Sequence, residues 1–572
     1  MNIQLQTFAF NDHAPAAGAD CGAPHPVIVV GAGPVGLAAA LDLAHQGIAT
    51  ILLDDDNCLS EGSRAICFSK RTLEILDRLG CAAPMLDKGV RWNVGKVFLQ
   101  NAQIYQFDLL PEGGNQMPAF INLQQYYVED YLVQRALACP GLSVRWQHKV
   151  TGCVQHADFV ELTVETPAGT RTLRAAYIVA ADGARSALRA LLGLESKGRS
   201  FKDRFLIADV RIDSRSDVDT KAAFPTERWF WFDPPFHPKK SVLLHRQPDD
   251  VWRIDFQLGW DADPELERQA ERVITRVRAL LGENVEFELR WVSVYTFSCM
   301  RMDKFRHSRV LFAGDAAHGV SPFGARGANS GVQDADNLAW KLKLVLQGQA
   351  PDALLDSYGA EREAAADENI MQSTRTTDFL TPKSAVSQLF RDAVLQLAKD
   401  YPFARTLVNS GRLSTPSTYA ASPLNTPDQS PFAWAMVPGA PCADAPVGLD
   451  GGATAWLLPQ LGDAFAVCYF GGKDTSGELV SQLQSLSASG GGVDVKVLLV
   501  LPVGATPRRV PGLTVLLDIE GCLQQRYDAA PGTVYLVRPD QHVCARWREL
   551  DPHSVAQALL RATARAQQEP LA

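Results

Sequence analysis

Three glycines and an aspartate near the start of the chain have the residue types and the spacing that bind a dinucleotide. Gly31, Gly33 and Gly36 form a Gly-x-Gly-x-x-Gly turn, and Asp54 follows roughly 20 residues later. The first glycine of such a turn permits a tight bend, and the second lets a pyrophosphate approach the backbone. The third permits close packing of a helix on a strand, and the terminal acid accepts hydrogen bonds from a ribose.

The surrounding sequence predicts the elements that must position these residues. Residues 27–30 are a short β-branched run typical of a buried parallel strand, and residues 37–46 carry apolar side chains at helical spacing up to Gly47. A second strand over residues 51–53 ends at Asp54. Because strand, helix, strand and acid occur in register, the pattern predicts a dinucleotide-binding unit rather than an ordinary strand-to-helix turn.

Two later segments have a similar pattern. One buried strand ends on Asp182 and Gly183, and another ends on Gly314 and Asp315 before a glycine-rich loop that runs to Asn329. An amphipathic helix follows this loop. The dinucleotide fold is therefore predicted to be interrupted and then resumed.

Two polar residues lie between these segments. Arg64 follows the second strand, where a solvated loop charge and a phosphate contact both fit its position. Gln125 lies at the start of a predicted helix, where its side chain could reach a ligand or cap the helix.

Residues 205–300 have a different character, because aromatic and β-branched residues alternate there with polar ones. This alternation predicts an antiparallel sheet. Within residues 252–258 the large apolar side chains share one face, and Arg253 and Asp255 lie on the other. The aromatic face is either the wall of an apolar substrate site or an ordinary core.

Composition limits the class of protein. The chain has 572 residues, which predicts several domains, and a net charge of −9, which argues against nucleic acid or an anionic membrane as partner. No apolar run reaches the roughly 18–20 residues of a membrane helix. The 11 scattered cysteines contain no Cys-x-x-Cys pair, which indicates reduced thiols in a cytoplasmic protein and no metal site.

The two ends of the chain differ from its middle. Residues 1–25 lack the basic and apolar regions of a secretory signal and are predicted to be a flexible extension. Residues 366–431 are predicted to be helical and then to form a linker rich in Ser, Thr and Pro. Residues 432–572 combine strand and helix patterns and are predicted to form a separate α/β domain.

These motifs together resemble a known family. GAGPVG with Asp54, the strand ending at Asp182, and RVLFAGDAAHGVSPFGARGANSGVQDADNLAWKL at residues 309–342 resemble the FAD-dependent aromatic hydroxylases. These are single-component flavoprotein monooxygenases with the p-hydroxybenzoate hydroxylase fold, and the resemblance begins at residue 26 and extends to about residue 400.

The resemblance implies an α/β fold with interleaved domains. A Rossmann-like FAD-binding domain (26–200 and 300–365) would enclose an antiparallel β-sheet substrate domain (201–299, with part of 90–120). Residues 432–572 are similar to the thioredoxin-like tail of the longer members, here without a redox Cys-x-x-Cys pair. The tail is expected to be structural, with homodimer contacts as its candidate role.

The resemblance also implies roles for individual residues. The ADP-ribose part of FAD would be bound by the first glycine turn and its acid, namely Gly31, Gly33, Pro34, Gly36 and Asp54. Further cofactor contacts would come from Arg64, Gln125, Asp182 and Gly183, the last two also serving NAD(P)H, and Asp315 would hold the ribityl chain. The flavin ring would lie against Pro322, Phe323, Gly324, Gly327, Ala328 and Asn329. A helix N-terminus aimed at the ring would stabilise the negative charge of reduced flavin.

The implied activity is hydroxylation of a small phenolic substrate through an FAD hydroperoxide, with O₂ and NADPH or NADH as co-substrates. A base or a cation near the phenol is expected, because deprotonation activates the ring. Phenol 2-monooxygenase-like enzymes place an aspartate where this chain has Ile66, so the candidates are Arg246 and Asp255 on the aromatic sheet. The context at 253–256 resembles the Arg-Trp-Glu-Phe of the hydroxyphenylpropionate hydroxylases, although a structural ion pair of Arg253 with Asp255 is the competing interpretation.

Two other functions remain open. The same scaffold oxidises larger polycyclic, polyketide or antibiotic substrates, including by Baeyer–Villiger or decarboxylative reactions. A flavin-binding protein that uses its tail as an interaction module is the non-enzymatic alternative, and the complete ring-binding loop argues against it. The absence of an obvious basic cluster favours an apolar phenol over a polyanionic acid as substrate.

Overall fold

A computed structural model describes most of the chain. The described residues are 6–11, 23–60, 62, 64–212, 226–408, 413–433, 436–449, 452–473, 476–488, 490–506 and 509–566. Part of the predicted extension is docked, because Phe8 is buried and its ring stacks on Trp146 with 4.4 Å between ring centroids. The rest of that extension up to residue 22 lies outside the described residues.

The strands of the first two domains are β1 (His25–Val30), β2 (Thr50–Leu53), β3 (Cys67–Ser69), β4 (Val90–Trp92), β5 (Val94–Leu99), β6 (Ala102–Asp108), β7 (Phe120–Asn122), β8 (Leu142–Arg145), β9 (Lys149–Gln155), β10 (Val160–Thr166), β11 (Gly169–Ala180), β12 (Ser196–Ile212), β13 (Arg228–Phe232), β14 (Ser241–Arg246), β15 (Val251–Gly259), β16 (Phe287–Met302), β17 (Arg306–His307), β18 (Val310–Phe312) and β19 (His318–Gly319). The strands of the C-terminal domain are β20 (Pro446–Gly448), β21 (Thr454–Trp456), β22 (Phe465–Phe470), β23 (Val495–Leu501), β24 (Thr514–Asp518), β25 (Val534–Val537) and β26 (Val543–Trp547).

The helices are α1 (Pro34–His45), α2 (Lys70–Arg78), α3 (Ala82–Lys88), α4 (Gln125–Leu137), α5 (Ala187–Leu191), α6 (Pro264–Glu267), α7 (Ala270–Leu281), α8 (Gly327–Leu346), α9 (Asp356–Leu380), α10 (Ala385–Asp400), α11 (Pro402–Val408), α12 (Gly477–Ala488), α13 (Cys522–Arg526) and α14 (Pro552–Ala562). Among the described residues, no helix is long and apolar enough to span a membrane.

The first sheet has the Rossmann-like order β17-β18-β11-β1-β2-β8. Its central pairs are parallel, from β18 through β11, β1 and β2 to β8. The strand that was predicted to end before Asp182 is the second half of β11, which pairs with β1, and the first half of β11 pairs with β10. The carboxyl ends of β1, β11 and β18 therefore meet at one edge, as the interrupted dinucleotide fold predicts.

The second sheet has the order β19-β16-β12-β15-β14-β13-β5-β6. Its pairs are antiparallel except for β13 with β5, so the sheet predicted to be antiparallel is mixed near one edge. Within residues 90–120, β5 and β6 form a hairpin that turns at residues 100–101, although Gly113-Gly114 in the sequence suggested a later turn. The carbonyl of Gly114 instead accepts a hydrogen bond of 2.7 Å from Arg526 in the C-terminal domain.

The aromatic face of the second sheet is a core. Trp252, Ile254 and Phe256 pack with Val273 and Val277 of helix α7, whose buried apolar residues recur at intervals of four. The sequence left a substrate wall and a core as alternatives for this face, and the structure shows the core. The polar face of the same sheet is directed toward the first sheet.

The C-terminal domain contains a sheet of order β21-β20-β24-β23-β22-β25-β26. Strands β22, β23 and β24 are parallel, whereas β25 and β26 are antiparallel to their neighbours. This α/β domain docks on helices α8 and α9 through a buried ion cluster that contains Arg538 and Glu361.

Candidate active site

A cavity of about 390 Å³ lies between the carboxyl ends of the first sheet and the polar face of the second. Open α/β sheets bind their ligands at this edge, where the strand order reverses. The predicted cofactor residues that line the cavity are Gly33, Pro34, Arg64, Gln125, Gly183, Asp315, Pro322, Gly327, Ala328 and Asn329. Those outside its lining are Gly31, Gly36, Asp54, Asp182, Phe323 and Gly324.

The three glycines of the first turn have different roles. Gly31 has φ +102°, and a Cβ there would lie 2.4 Å from the carbonyl oxygen of Ala181. A Cβ on Gly36 would lie 1.8 Å from the carbonyl oxygen of Gly31. A Cβ on Gly33 would meet no atom within 4 Å. Gly31 and Gly36 are therefore required by the fold, whereas Gly33 leaves space for a ligand at the start of α1.

Two helices begin at the cavity, α1 at Pro34 and α8 at Gly327. Neither has a side-chain cap hydrogen bond or an acidic residue in its first turn. The first N–H groups of a helix lack intrahelical partners, and its N-terminus carries partial positive charge. The two ends therefore fit the pyrophosphate of FAD at α1 and an electron-accepting flavin ring at α8.

Asp54 and Asp182 follow β2 and β11, the two strands that flank β1, and they shape the turns around them. Asp54 accepts hydrogen bonds from the backbone N–H of Ala32 at 2.5 Å and of Asp56 at 2.9 Å, and burial raises its pKa to about 6. Asp182 accepts a hydrogen bond of 3.0 Å from the backbone N–H of Leu188, and burial raises its pKa. Oδ1 of Asp182 has no hydrogen-bond partner within the described chain.

A polar network holds the segment after β2 against helix α4. Gln125 accepts a hydrogen bond of 2.9 Å from the backbone N–H of Ala65 and donates one of 2.7 Å to Glu129. Glu129 also accepts hydrogen bonds of 2.7 and 2.8 Å from Ser60. Gln125 therefore does not cap its helix, and it fixes the loop from which the exposed Arg64 side chain reaches the cavity.

The loop after β18 is anchored by one buried carboxylate. Asp334 accepts hydrogen bonds from the backbone N–H of Gly314 at 2.9 Å, from His318 at 2.7 Å and from Arg362 at 2.6 Å. The neighbouring Asp315 faces the cavity, and restricted solvation raises its pKa although His318 opposes the shift. The anchored loop thus presents Asp315 toward the ribityl position that the resemblance implies.

The rest of that loop divides into cavity wall and support. Oδ1 of Asn329 accepts a hydrogen bond of 2.9 Å from the backbone N–H of Ser69, which fixes the start of α8 against β3. Gly324 lies behind the wall and accepts a hydrogen bond of 2.9 Å from Ser414. Phe323 packs its ring 4.6 Å from that of Phe205 in the core. Phe323 and Gly324 therefore support the loop from outside the cavity.

The opposite wall is polar and comes from the second sheet. Arg228, His245, Arg253 and Asp255 line it, on strands β13, β14 and β15. Nε2 of His245 lies 3.4 Å from Oδ2 of Asp255. Burial, followed by the nearby Arg228 cation, lowers the pKa of His245 to about 4. The wall thus combines a neutral imidazole, a carboxylate and two guanidinium groups.

Two predictions for this wall are corrected. Arg253 pairs with Asp209 of β12 at 3.0 Å rather than with Asp255. Arg246 does not line the cavity, because side chains alternate along a strand and His245 takes the inward position. The Arg246 guanidinium instead lies 5.5 Å from the ring of Trp252, on the opposite face.

The sequence did not single out Arg228, His245 or Cys67, which lie together at the cavity. Strand register brings Arg228 and His245 there, since Trp229 pairs with Leu244, and His245 pairs with Arg253 across β14 and β15. Cys67 comes from β3 of a separate small sheet. The alternation at Arg253 and Asp255 showed which face is polar, but no local signal showed which strand lies beside it. The inference that no basic cluster is present is therefore also corrected.

Acid is expected to destabilise the folded protein through His245. The unfolded chain binds a proton near pH 6.5, but the folded protein does so only near pH 4. The contribution of His245 to the free energy of unfolding is therefore fully present above pH 6.5 and is lost as the pH falls. The loss amounts to about 2 kcal/mol near pH 5. Urea denaturation of the wild type and of His245→Gln, near pH 7 and near pH 5, measures this loss of unfolding free energy. Equal pH dependence of the two proteins would contradict this expectation.

Comparison with known proteins agrees with this geometry. A family model described as FAD binding domain matches residues 25–373. The chain is 28% identical over 535 residues to a 3-(3-hydroxy-phenyl)propionate/3-hydroxycinnamic acid hydroxylase of Mycobacterium sp. (strain JLS), covering 90% of this chain and 88% of the relative. It is 29% identical over 535 residues to a 6-methylpretetramide 4-monooxygenase of Streptomyces rimosus, covering 91% and 90%.

The fold also matches a solved structure. The flavin-dependent monooxygenase PieE, in complex with FAD and substrate, superposes with a TM-score of 0.78 at 23% identity, over 95% of this chain and 100% of that one. The family model alone covers more than half of the chain, and the residues it matches include the glycine turn, the strand ends at the cavity and the starts of α1 and α8. The chain therefore belongs to the family of FAD-dependent monooxygenases that includes the aromatic hydroxylases.

Proposed function

We propose that the protein hydroxylates a phenolic aromatic substrate, with FAD as cofactor and NADPH or NADH as co-substrate. The observation that carries this proposal is the pair Asp255 and His245 on the wall opposite the ring-binding loop. Similarity to hydroxyphenylpropionate hydroxylases over most of the chain supports a phenol. When bound, FAD supplies hydride acceptance from NAD(P)H and activation of O₂ for transfer of one oxygen atom.

The contacts of Asp255 suit a general base. Its Oδ2 faces Nε2 of His245 at 3.4 Å, whereas its Oδ1 has no hydrogen-bond partner in the described part of the chain. His245 is neutral at assay pH, so its Nε2 faces Oδ2 of Asp255 without an opposing charge, and its Nδ1 faces the Cys67 thiol at 4.0 Å. Oδ1 can then accept the phenol proton, which makes the ring electron-rich.

The neighbouring lining residues would complete the site. Ile66 and Ile207 contribute apolar surface, which limits water near the reacting ring. The uncapped start of α8, at Gly327, would stabilise negative charge on the bound ring. These residues position and desolvate the substrate, while Asp255 takes its proton.

Substrate-stimulated oxidation of NADPH and NADH tests the proposal. The purified flavoprotein would be assayed with phenols, resorcinols, hydroxybenzoates and phenylpropionates, and the products weighed by mass spectrometry. A phenol that stimulates oxidation and gains one oxygen supports the proposal. Stimulation by none of these compounds would reject it for this class of substrate.

Asp255→Asn is expected to slow hydroxylation by about 100-fold or more, because an amide cannot take the phenol proton. Reduction of the flavin by NAD(P)H, measured anaerobically, should change far less. The matched control is Asp261→Asn, an exposed carboxyl just beyond β15. Turnover of Asp255→Asn equal to that of the control would remove Asp255 as the base.

A second candidate is a monooxygenase of a larger polycyclic or polyketide substrate. Similarity to the 6-methylpretetramide 4-monooxygenase over 91% of this chain favours it. A product that gains one oxygen on an aromatic carbon, as opposed to ring opening or loss of CO₂, would separate hydroxylation from Baeyer–Villiger or decarboxylative oxidation.

We further propose that residues 432–572 are a thioredoxin-like domain. The parallel unit β22-α12-β23, the antiparallel strands β25 and β26, and the final helix α14 support this assignment. Its candidate role is in homodimer contacts, which light scattering of the purified protein would test. The free cysteines of the described residues are consistent with a cytoplasmic protein.

A further inference from the structure

Arg228 is a buried cation with an open side toward the cavity. Arg228 is 3% exposed and lines the cavity at the start of β13. Its Nε and Nη1 atoms have no hydrogen-bond partner, and no carboxylate of the described residues forms an ion pair with it. Its described neighbours include the rings of Phe230 and Trp92, with centroids 5.0 and 5.9 Å from the guanidinium carbon.

Two other buried arginines of this fold have carboxylate partners. Arg253 lies 3.0 Å from Asp209, and Arg362 lies 2.6 Å from Asp334. An unpaired buried charge is costly, since protein groups do not replace its water, and an arginine does not escape the cost by losing its proton. Arg228 therefore lacks, within the described chain, the acceptor that these arginines have.

We propose that Arg228 binds an anionic oxygen of the aromatic substrate. This inference rests on the proposed function and narrows it, because the site would select anionic over neutral aromatic compounds. The guanidinium fork matches the two oxygens of a carboxylate and can also donate to a phenolate. The anionic oxygen therefore has two possible sources, a substrate carboxylate or the phenolate that Asp255 generates.

Binding to the FAD-loaded protein tests the inference without turnover. The carboxylate arm compares 3-phenylpropionate with neutral 3-phenylpropionamide by calorimetry. The phenolate arm uses 4-nitrophenol, whose absorbance reports its ionisation, against 4-nitroanisole. We expect at least one anion to bind about 10-fold to 100-fold more tightly than its neutral partner, as hydrogen bonds to charged groups allow.

Arg228→Met should abolish this preference, because it keeps much of the side-chain length and removes the charge. Arg211→Met, which removes an exposed arginine from the neighbouring part of the same sheet, should retain it. Arg228→Lys, which keeps the charge without the fork, should retain only part of the preference for anions. If Arg228→Met fails to fold, this partial loss in Arg228→Lys tests the inference instead.

The two binding comparisons distinguish a carboxylate from a phenolate as the anion that Arg228 binds. A preference confined to the first arm identifies a carboxylate, and one confined to the second identifies a phenolate. Absence of any preference in the wild type, or an unchanged preference in both Arg228 variants, would overturn the inference. A preference that depends on Arg228 without any oxygenated product would instead leave the inference standing and reject the proposed function.

Discussion

Replacing Gly33 with valine is expected to give a folded protein that purifies without flavin. Gly33 has φ −71° and ψ 178°, which a residue with a side chain adopts readily, and a Cβ there meets no protein atom within 4 Å. The new side chain would instead occupy the space at the start of α1, where the pyrophosphate of FAD is expected to bind. We expect FAD affinity to fall by about 100-fold or more, equivalent to about 2.7 kcal/mol.

Gly36→Val is the matched contrast. Its Cβ would lie 1.8 Å from the carbonyl oxygen of Gly31, so this change should destabilise the βαβ unit itself. The ratio of flavin to protein, titration of the apoprotein with FAD and thermal unfolding of the apoprotein distinguish the two effects. A Gly33→Val protein that binds FAD like the wild type would show that the pyrophosphate lies elsewhere.

The sequence predicted the first sheet well because its signals are local. The strand, glycine turn, helix and acid that end at Asp54 occur within one continuous segment. Within the sheet predicted over 205–300, the 16-residue strand β16 was not delineated, because most of its residues are only partly buried and its burial shows no clear alternation. Strand β11 extends well before the buried segment that the sequence showed, because its two halves pair with different partners.

The cavity wall was predicted less well, because strand register decides it. Arg253 and Asp255 were expected to pair as neighbours on one face, yet Asp209, which lies 44 residues earlier, takes Arg253. The same register places His245 beside Asp255 and brings Arg228 to the cavity. Sequence alternation gives the face of each strand, but the choice of adjacent strand depends on loops and packing between distant segments.

Replacing Arg538 with methionine is expected to weaken the attachment of the C-terminal domain and to destabilise the whole protein. The Arg538 side chain is 0% exposed, and it donates hydrogen bonds to both Glu361 of α9 and Asp540. Glu361 also accepts a hydrogen bond of 2.8 Å from Lys341 of α8. Removing the guanidinium would leave Glu361 with Lys341 and Asp540 with the His542 ring, and breaking such a buried ion cluster typically costs about 3–5 kcal/mol.

The stability lost in Arg538→Met should depend on pH through the two carboxylates that Arg538 contacts. Burial alone would raise the pKa of Glu361, but Arg538 and Lys341 outweigh burial and hold it well below its usual range. Without Arg538, the folded-state pKa values of Glu361 and Asp540 should rise, so protonation at low pH should relieve part of the defect. The stability gap between wild type and Arg538→Met should therefore be larger near pH 7 than near pH 5.

Arg548→Met provides the control, because Arg548 pairs with Asp528 where both side chains are about one-third exposed, at 31% and 37%. Its loss should cost less than about 1 kcal/mol. Chemical denaturation and the temperature of flavin release would be compared for the two variants. Because α8 begins at Gly327 in the cavity wall, disruption of the ion cluster should also lower the temperature of flavin release. Equal behaviour of the two variants would mean that apolar contacts, such as the rings of Trp340 and Phe465 at 5.7 Å, dock the domain instead.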